Sequence, residues 1–259
     1  MPRSIYLATT EPHCGKSLIS LGITEFLLRR TSRVGVFRPI IEVTSDHERD
    51  KNIDLLLSHF NLNLEYEDTF AFTREEATHL IGSGRYDEVL LRIIKKYKAL
   101  EGQCDFVLCI GSDLAAETAA PEFDFNADVA NNLGCPVLIM TSAADRDVRT
   151  VVSSVRSSLA AFIERGCQVL GAVANRADMD SVQPIKAALA KELPQGDVLL
   201  SVVPSHRLLS SPTIKEVVKH LDAEILYGGS QLDRLAYRFM VIAMRLQNYL
   251  QHLTENALL

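Results

Sequence analysis

The chain has 259 residues, 47% of them apolar and 23% charged, a length that suits one large domain or two small ones around a sizeable core. Its 27 Lys and Arg against 33 Asp and Glu leave a net charge of −6, which speaks against nucleic-acid binding, because that draws its affinity from basic contacts to phosphates. No apolar run approaches the roughly 18 to 20 residues of a membrane span, and the N-terminus is too soon polar for a signal peptide. Five scattered cysteines, with no Cys-x-x-Cys pair, exclude a disulfide framework or a cysteine zinc site. The expectation is a soluble, cytoplasmic chain with neither nucleic acid nor membrane as partner.

In chain order, short apolar runs alternate with segments of helical period. Strands are predicted over residues 4–8, 34–37, 105–110, 136–141, 168–174 and 198–203. Most are β-branched or Leu-rich and apolar on both faces, as strands buried between helix layers must be. Helices are predicted over 16–30, 53–60, 74–81, 86–100, 124–133, 148–165, 181–193 and 213–221. Thr73-Arg-Glu-Glu76 reads as a capping box for one of them. The rhythm predicts an α/β fold, a mostly parallel sheet of about six or seven strands with helices on both faces.

The last stretch reads differently. After Gly228-Gly229-Ser230, the spacing of Leu232, Leu235, Phe239, Ile242, Leu246, Tyr249 and Leu253 predicts one long helix over 231–254. The expected organisation is therefore an α/β domain over 1–229 and a helix within 230–259. That helix packs on its own sheet, forms a homo-oligomer interface, or leads into a further domain.

The strongest chemical signal lies at the start. A strand over 4–8, a loop from Thr9 to Cys14 and a helix opened by Gly15-Lys16-Ser17 make the unit in which backbone N–H groups converge on phosphate oxygens. Lys16 is placed to reach the β and γ phosphates, Ser17 to offer a hydroxyl to Mg²⁺, and Gly15 to let the backbone come close. Thr10, Glu11, His13 and Cys14 complete the candidate loop for ATP or another phosphate-bearing ligand. The first Gly of the usual pattern is Thr10 here.

With that Thr, the segment Thr10-x-x-x-x-Gly15-Lys16-Ser17 resembles the P-loop of dethiobiotin synthetase and cobyrinic acid a,c-diamide synthases. Phe37-Arg38-Pro39-Ile40 is similar to that group's Lys-Pro segment. Asn52-Ile53-Asp54-Leu55 is similar to its Asn-x-Asp segment, which implies Asp54 beside Ser17 at Mg²⁺. Ala174-Asn175-Arg176 is similar to the segment whose Asn meets the adenine edge. Across nearly the whole chain, the resemblance is to the N-terminal, dethiobiotin-synthetase-like domain of bacterial phosphate acetyltransferases. It is carried by residues 17–22, by Val36-Phe-Arg-Pro-Ile40, by Phe125-Asn-Ala-Asp-Val-Ala-Asn-Asn-Leu-Gly134 and by residues 212–226. The resemblance implies that acetyl transfer between coenzyme A and phosphate resides in a following C-terminal domain.

Two departures bear on mechanism. Where the synthetases carry a metal-binding Glu-Gly pair at the end of their third strand, this chain has Ile110-Gly111. Isoleucine offers no oxygen to Mg²⁺. Asp113 and Glu117 are nearby candidates to compensate. Arg38 stands for the family Lys, keeping the charge but offering a planar fork that does not lose a proton. If the site is active, Lys16 and Arg38 are its catalytic candidates. The expectation is binding rather than turnover, because nucleotide-driven activation depends on metal and electrostatic placement. The alternatives are a working ATP-dependent ligase or amidotransferase of the dethiobiotin or cobyrinate type, and an assembly module that binds nothing. Asp145-Arg146-Asp147, after the 136–141 strand, touches substrate or caps the next helix through Asp147.

Overall fold

The computed structural model describes residues 3–9, 11, 14–43, 49–112, 119–192, 198–240, 243, 245, 248, 251–252 and 257–258. They fall into two compact units, Met1–Pro204 and Ser205–Leu259. The division comes earlier than the expected boundary after Gly229.

The first unit alternates β1 (Ser4–Thr9), α1 (Lys16–Leu28), β2 (Val34–Ile41), α2 (Lys51–Phe60), β3 (Phe70–Thr73), α3 (Arg74–Gly82), α4 (Tyr86–Glu101) and β4 (Phe106–Ile110). It continues with α5 (Ala119–Leu133), β5 (Val137–Ser142), α6 (Val148–Glu164), β6 (Val169–Ala177), α7 (Val182–Glu192) and β7 (Leu199–Pro204). The seven strands form one sheet in the order β3-β2-β4-β1-β5-β6-β7, and every pairing is parallel. The predicted fold class holds. β3 was not foreseen: Phe70–Thr73 is four residues long and pairs on one side only, along β2.

Successive strand residues point to opposite faces, and the core divides accordingly. Tyr6, Phe37, Cys109 and Ile139 enter one apolar cluster with Ile93 and Tyr97 of α4, Phe125 of α5, Phe162 of α6 and Ile185 of α7. Their neighbours Ile5, Leu7, Val36, Leu108, Ile110 and Met140 enter the other, with Ile53 and Leu56 of α2. Each fully buried large side chain removes apolar area worth about 1.5–3 kcal/mol.

Chain order across the sheet reverses at β1, whose neighbours are β4 on one side and β5 on the other. The carboxyl ends of these strands therefore flank a crevice at the loop after β1, where such sheets take their ligands.

The second unit contains α8 (Arg207–Ser210) and α9 (Ile214–Leu221). Thr213 and Glu216 form a capping box on α9. The expected long helix is not formed over residues 231–240, which run through a turn, a bridge from Leu235 to Thr213 and a short strand, Arg238–Phe239. The backbone partners explain the difference. Ile214 N donates to Arg234 O at 2.9 Å, Lys215 N to Leu232 O at 2.8 Å, and Ala236 N to Pro212 O at 2.9 Å. The orphan amides at the start of α9 thus draw residues 232–236 into an extended pairing. Leu232, Leu235 and Phe239 form no helical stripe, so the basis of the expected oligomer interface is removed over that stretch. Ile242, Leu246, Tyr249 and Leu253 lie outside the described residues.

Candidate phosphate-binding site

The loop after β1 is tied to the crests of three other strands. Gly15 precedes α1 with φ +83°, a left-handed conformation that glycine adopts freely. A Cβ there would lie 2.5 Å from Asn175 Nδ2. That amide donates to Cys14 O at 2.7 Å from a side chain that is 1% exposed, so β6 clamps the loop backbone just before the helix. Asn175, expected at an adenine edge, is placed here as a clamp on the loop. Cys14 is buried, and its thiol donates to Glu11 O at 3.0 Å.

Lys16 opens α1 and is buried, and its Nζ donates to Gly111 O at 3.0 Å, at the crest of β4. Gly111 N donates to Leu7 O at 2.8 Å. A Cβ on Gly111 would come within 2.9 Å of both Leu7 O and Asn126 Oδ1, so the crest requires glycine. A buried polar network holds it: Asn126 Oδ1 accepts from Tyr6 Oη at 2.6 Å and from Ser112 N at 3.0 Å, and Asn126 Nδ2 donates to Ser112 O at 3.1 Å. Ser112 Oγ accepts from Ile40 N at 2.9 Å, joining β2 to the same point. Ile110 is fully buried in the core.

Glu11 is held on the opposite side. Its carboxylate accepts from Ser142 N at 3.0 Å and Thr141 Oγ1 at 3.4 Å at the end of β5, and from both terminal nitrogens of Arg146, one at 2.8 Å. Ser17 is exposed and hydrogen-bonded to Asn52 Oδ1 near the start of α2. Asp54 lies two residues further but is half-exposed and pairs with Arg49 at 3.4 Å. The structure therefore brings Ser17 to Asn52, and turns Asp54 to Arg49.

Arg38 is 2% exposed, and its guanidinium pairs with the equally buried Asp50. Asp50 also caps α2, accepting from Asn52 N at 3.0 Å and Ile53 N at 3.1 Å, and from Glu42 N at 3.1 Å. Its own amide donates to Tyr66 Oη at 2.7 Å. Burial raises the Tyr66 phenol above its ordinary value, keeping it protonated. Arg38 is thus built into the start of α2. Asp147 caps α6 through Thr150 N at 2.8 Å.

Thr10, His13, Asp113 and Glu117 lie outside the described residues. Among the described residues, no group of three or more His, Cys, Asp or Glu could hold a metal ion, and no helix is long and apolar enough to cross a membrane. Sequence reading missed Asn52, Asp50, Gly111, Ser112 and Asn126 as parts of the site. Asn52 and Asn126 sit inside segments that carry the family resemblance, which was the available signal.

A strand, a tight loop with a left-handed glycine, and a helix opened by a buried lysine at the switch point of a parallel sheet define a P-loop α/β domain. The chain belongs to the AAA domain family over residues 3–213, and matches the DRTGG domain over residues 216–259. It is 38% identical to a phosphate acetyltransferase of Nitratidesulfovibrio vulgaris and 37% identical to one of Synechocystis sp., over 100% and 98% of its length. The chain spans 37% of the length of each of these relatives. A dethiobiotin synthetase of Bacillus subtilis, an ATP-dependent enzyme, is 30% identical over 82 residues, 31% of this chain and 36% of that one.

Proposed function

We propose that this chain is a nucleotide- or effector-binding regulatory part of a phosphate-acetyltransferase-like protein, and that its loop at Glu11–Ser17 takes a phosphate-bearing ligand such as ATP. The observation that carries the reading is Lys16. Its ammonium is buried at the N-terminus of α1, directly after the left-handed Gly15, where a P-loop lysine meets phosphate. Gly15 is the N-cap of α1 and offers no side chain to the first amides of that helix, the kind of group that binds anions.

Bound with the nucleotide, Mg²⁺ would neutralise phosphate charge, with Ser17 as its protein ligand and Asn52 beside it. Asp54 is committed to Arg49, and Ile110 stands buried where the resemblance puts a metal-binding Glu. Arg38 is committed to Asp50. These three placements favour binding over turnover. Acetyl transfer between coenzyme A and phosphate would then belong to a C-terminal domain of the whole protein. A cytoplasmic location fits the five buried free thiols.

Calorimetric titration of the chain with ATP and Mg²⁺, beside a Lys16→Ala variant, tests the reading. Saturable heat in the native chain that Lys16→Ala removes supports it. An absence of heat in both, with the chain folded, overturns it. Phosphate release in the presence of candidate carboxylates would instead establish the ligase reading.

A further inference from the structure

The Glu11–Arg146 pair sets a carboxylate, matched by a guanidinium, within the loop proposed to take a phosphate-bearing ligand. Four donors fix that carboxylate: Ser142 N, Thr141 Oγ1 and the two terminal nitrogens of Arg146. The root of Arg146 is itself fixed. Before it, Asp145 holds a left-handed backbone at φ +55°, and after it Asp147 caps α6. Thr141 Oγ1 is further joined to Ser154 Oγ of α6 at 3.0 Å. Guanidinium and carboxylate meet as fork on fork, the geometry that gives direction as well as charge. The fork is turned onto Glu11, and one of its nitrogens also reaches Ser142 O at 3.4 Å.

We propose that this pair is a latch that sets the shape of the phosphate loop, so that Arg146 is a positioning residue for the ligand and acts through Glu11. The inference rests on the reading that the loop takes a phosphate-bearing ligand. Arg146 cancels the Glu11 charge that would oppose phosphate and ties the loop to β5, while Lys16 ties the start of α1 to β4. Arg146 and Glu11 are 31% and 24% exposed, so water screens the pair and its share of global stability is small. Its effect falls on loop geometry.

The experiment compares the native chain with Arg146→Ala, Arg146→Lys, Glu11→Gln and the Glu11→Gln/Arg146→Ala double variant. Hydrogen exchange of the amides of residues 9–17 is read without ligand, and affinity for ATP with Mg²⁺ is read by calorimetry. Glu11→Gln and Arg146→Ala are each expected to speed loop exchange several-fold and weaken the nucleotide about tenfold, and the double variant to be no worse than either. Arg146→Lys recovers part of the loss, and melting temperatures stay within about 4 °C. Unchanged loop exchange in Arg146→Ala overturns the latch. Faster exchange with unchanged affinity overturns the positioning role. A Glu11→Gln variant that binds more tightly while Arg146→Ala binds less also overturns it, marking Arg146 as a direct ligand contact. If the native chain takes no nucleotide, the proposed function fails, and loop exchange alone decides the latch.

Discussion

Asn175 Nδ2 and Cys14 O are 2.7 Å apart, with both residues buried and 161 positions apart in the chain. This hydrogen bond fixes the last turn of the phosphate loop from β6. Asn175→Ala leaves a buried carbonyl without that donor, a loss of about 1–3 kcal/mol. The expected outcome is a lower midpoint in urea and a weaker affinity for ATP with Mg²⁺, both measurable on one preparation.

Gly15 makes a sharper case. A side chain there meets both a left-handed backbone and the Asn175 amide at 2.5 Å. Gly15→Ala is expected to abolish nucleotide binding and to cost at least about 1 kcal/mol of stability. Gly22, exposed within α1 with open space at its Cβ, is the control. Gly22→Ala should stabilise the chain by about 0.4–1 kcal/mol. Thermal unfolding of the two variants reads the contrast directly.

Arg38 and Asp50 test whether the residue standing for the family Lys serves folding. Their side chains are 3% and 1% exposed. Removing one partner leaves an uncompensated charge in the interior, which costs about 3–5 kcal/mol. Arg38→Ala is therefore expected to lower the urea midpoint strongly. A midpoint unchanged from the native chain would contradict this placement.

Asp147 gives a dependence on acid. Its carboxyl is held below the ordinary value by the Thr150 amide that it caps. The folded value is lower than the unfolded one, so the cap is at full strength above the unfolded value, near 4, and fades as pH falls through the lowered value. Melting temperatures of the native chain and Asp147→Ala are expected to differ above about pH 5 and to converge as pH falls through the lowered value. A difference that does not change with pH would contradict it.

Local chemistry was legible in the sequence, and distant chemistry was not. The Thr73–Glu76 capping box and the Asp147 cap were readable because their partners lie three residues away. Six of the seven sheet strands followed from apolar runs between helical segments. Phe70–Thr73 escaped because four residues at a sheet edge carry too little pattern. The run from Leu232 to Phe239 misled because three-four spacing of apolar residues also suits a chain pinned by its pairing with residues 212–215. In the site, Lys16 and Ser17 were found by motif. The Glu11–Arg146 pair joins positions 135 apart, and the Arg38–Asp50 pair depends on the return of the chain at α2. Neither spacing announces a contact, since the first is set by the order of strands in the sheet and the second by where α2 starts against β2.

The central claim is that the loop binds a phosphate-bearing ligand at Lys16 without consuming it. One sample decides this most directly: the native chain titrated with ATP and Mg²⁺ in a calorimeter, its contents then assayed for released phosphate, with Lys16→Ala run alongside. The account predicts saturable heat in the native chain, none in the variant, and phosphate no higher than in protein-free buffer. Saturable heat accompanied by Lys16-dependent phosphate release, or no heat from a folded native chain, would contradict it.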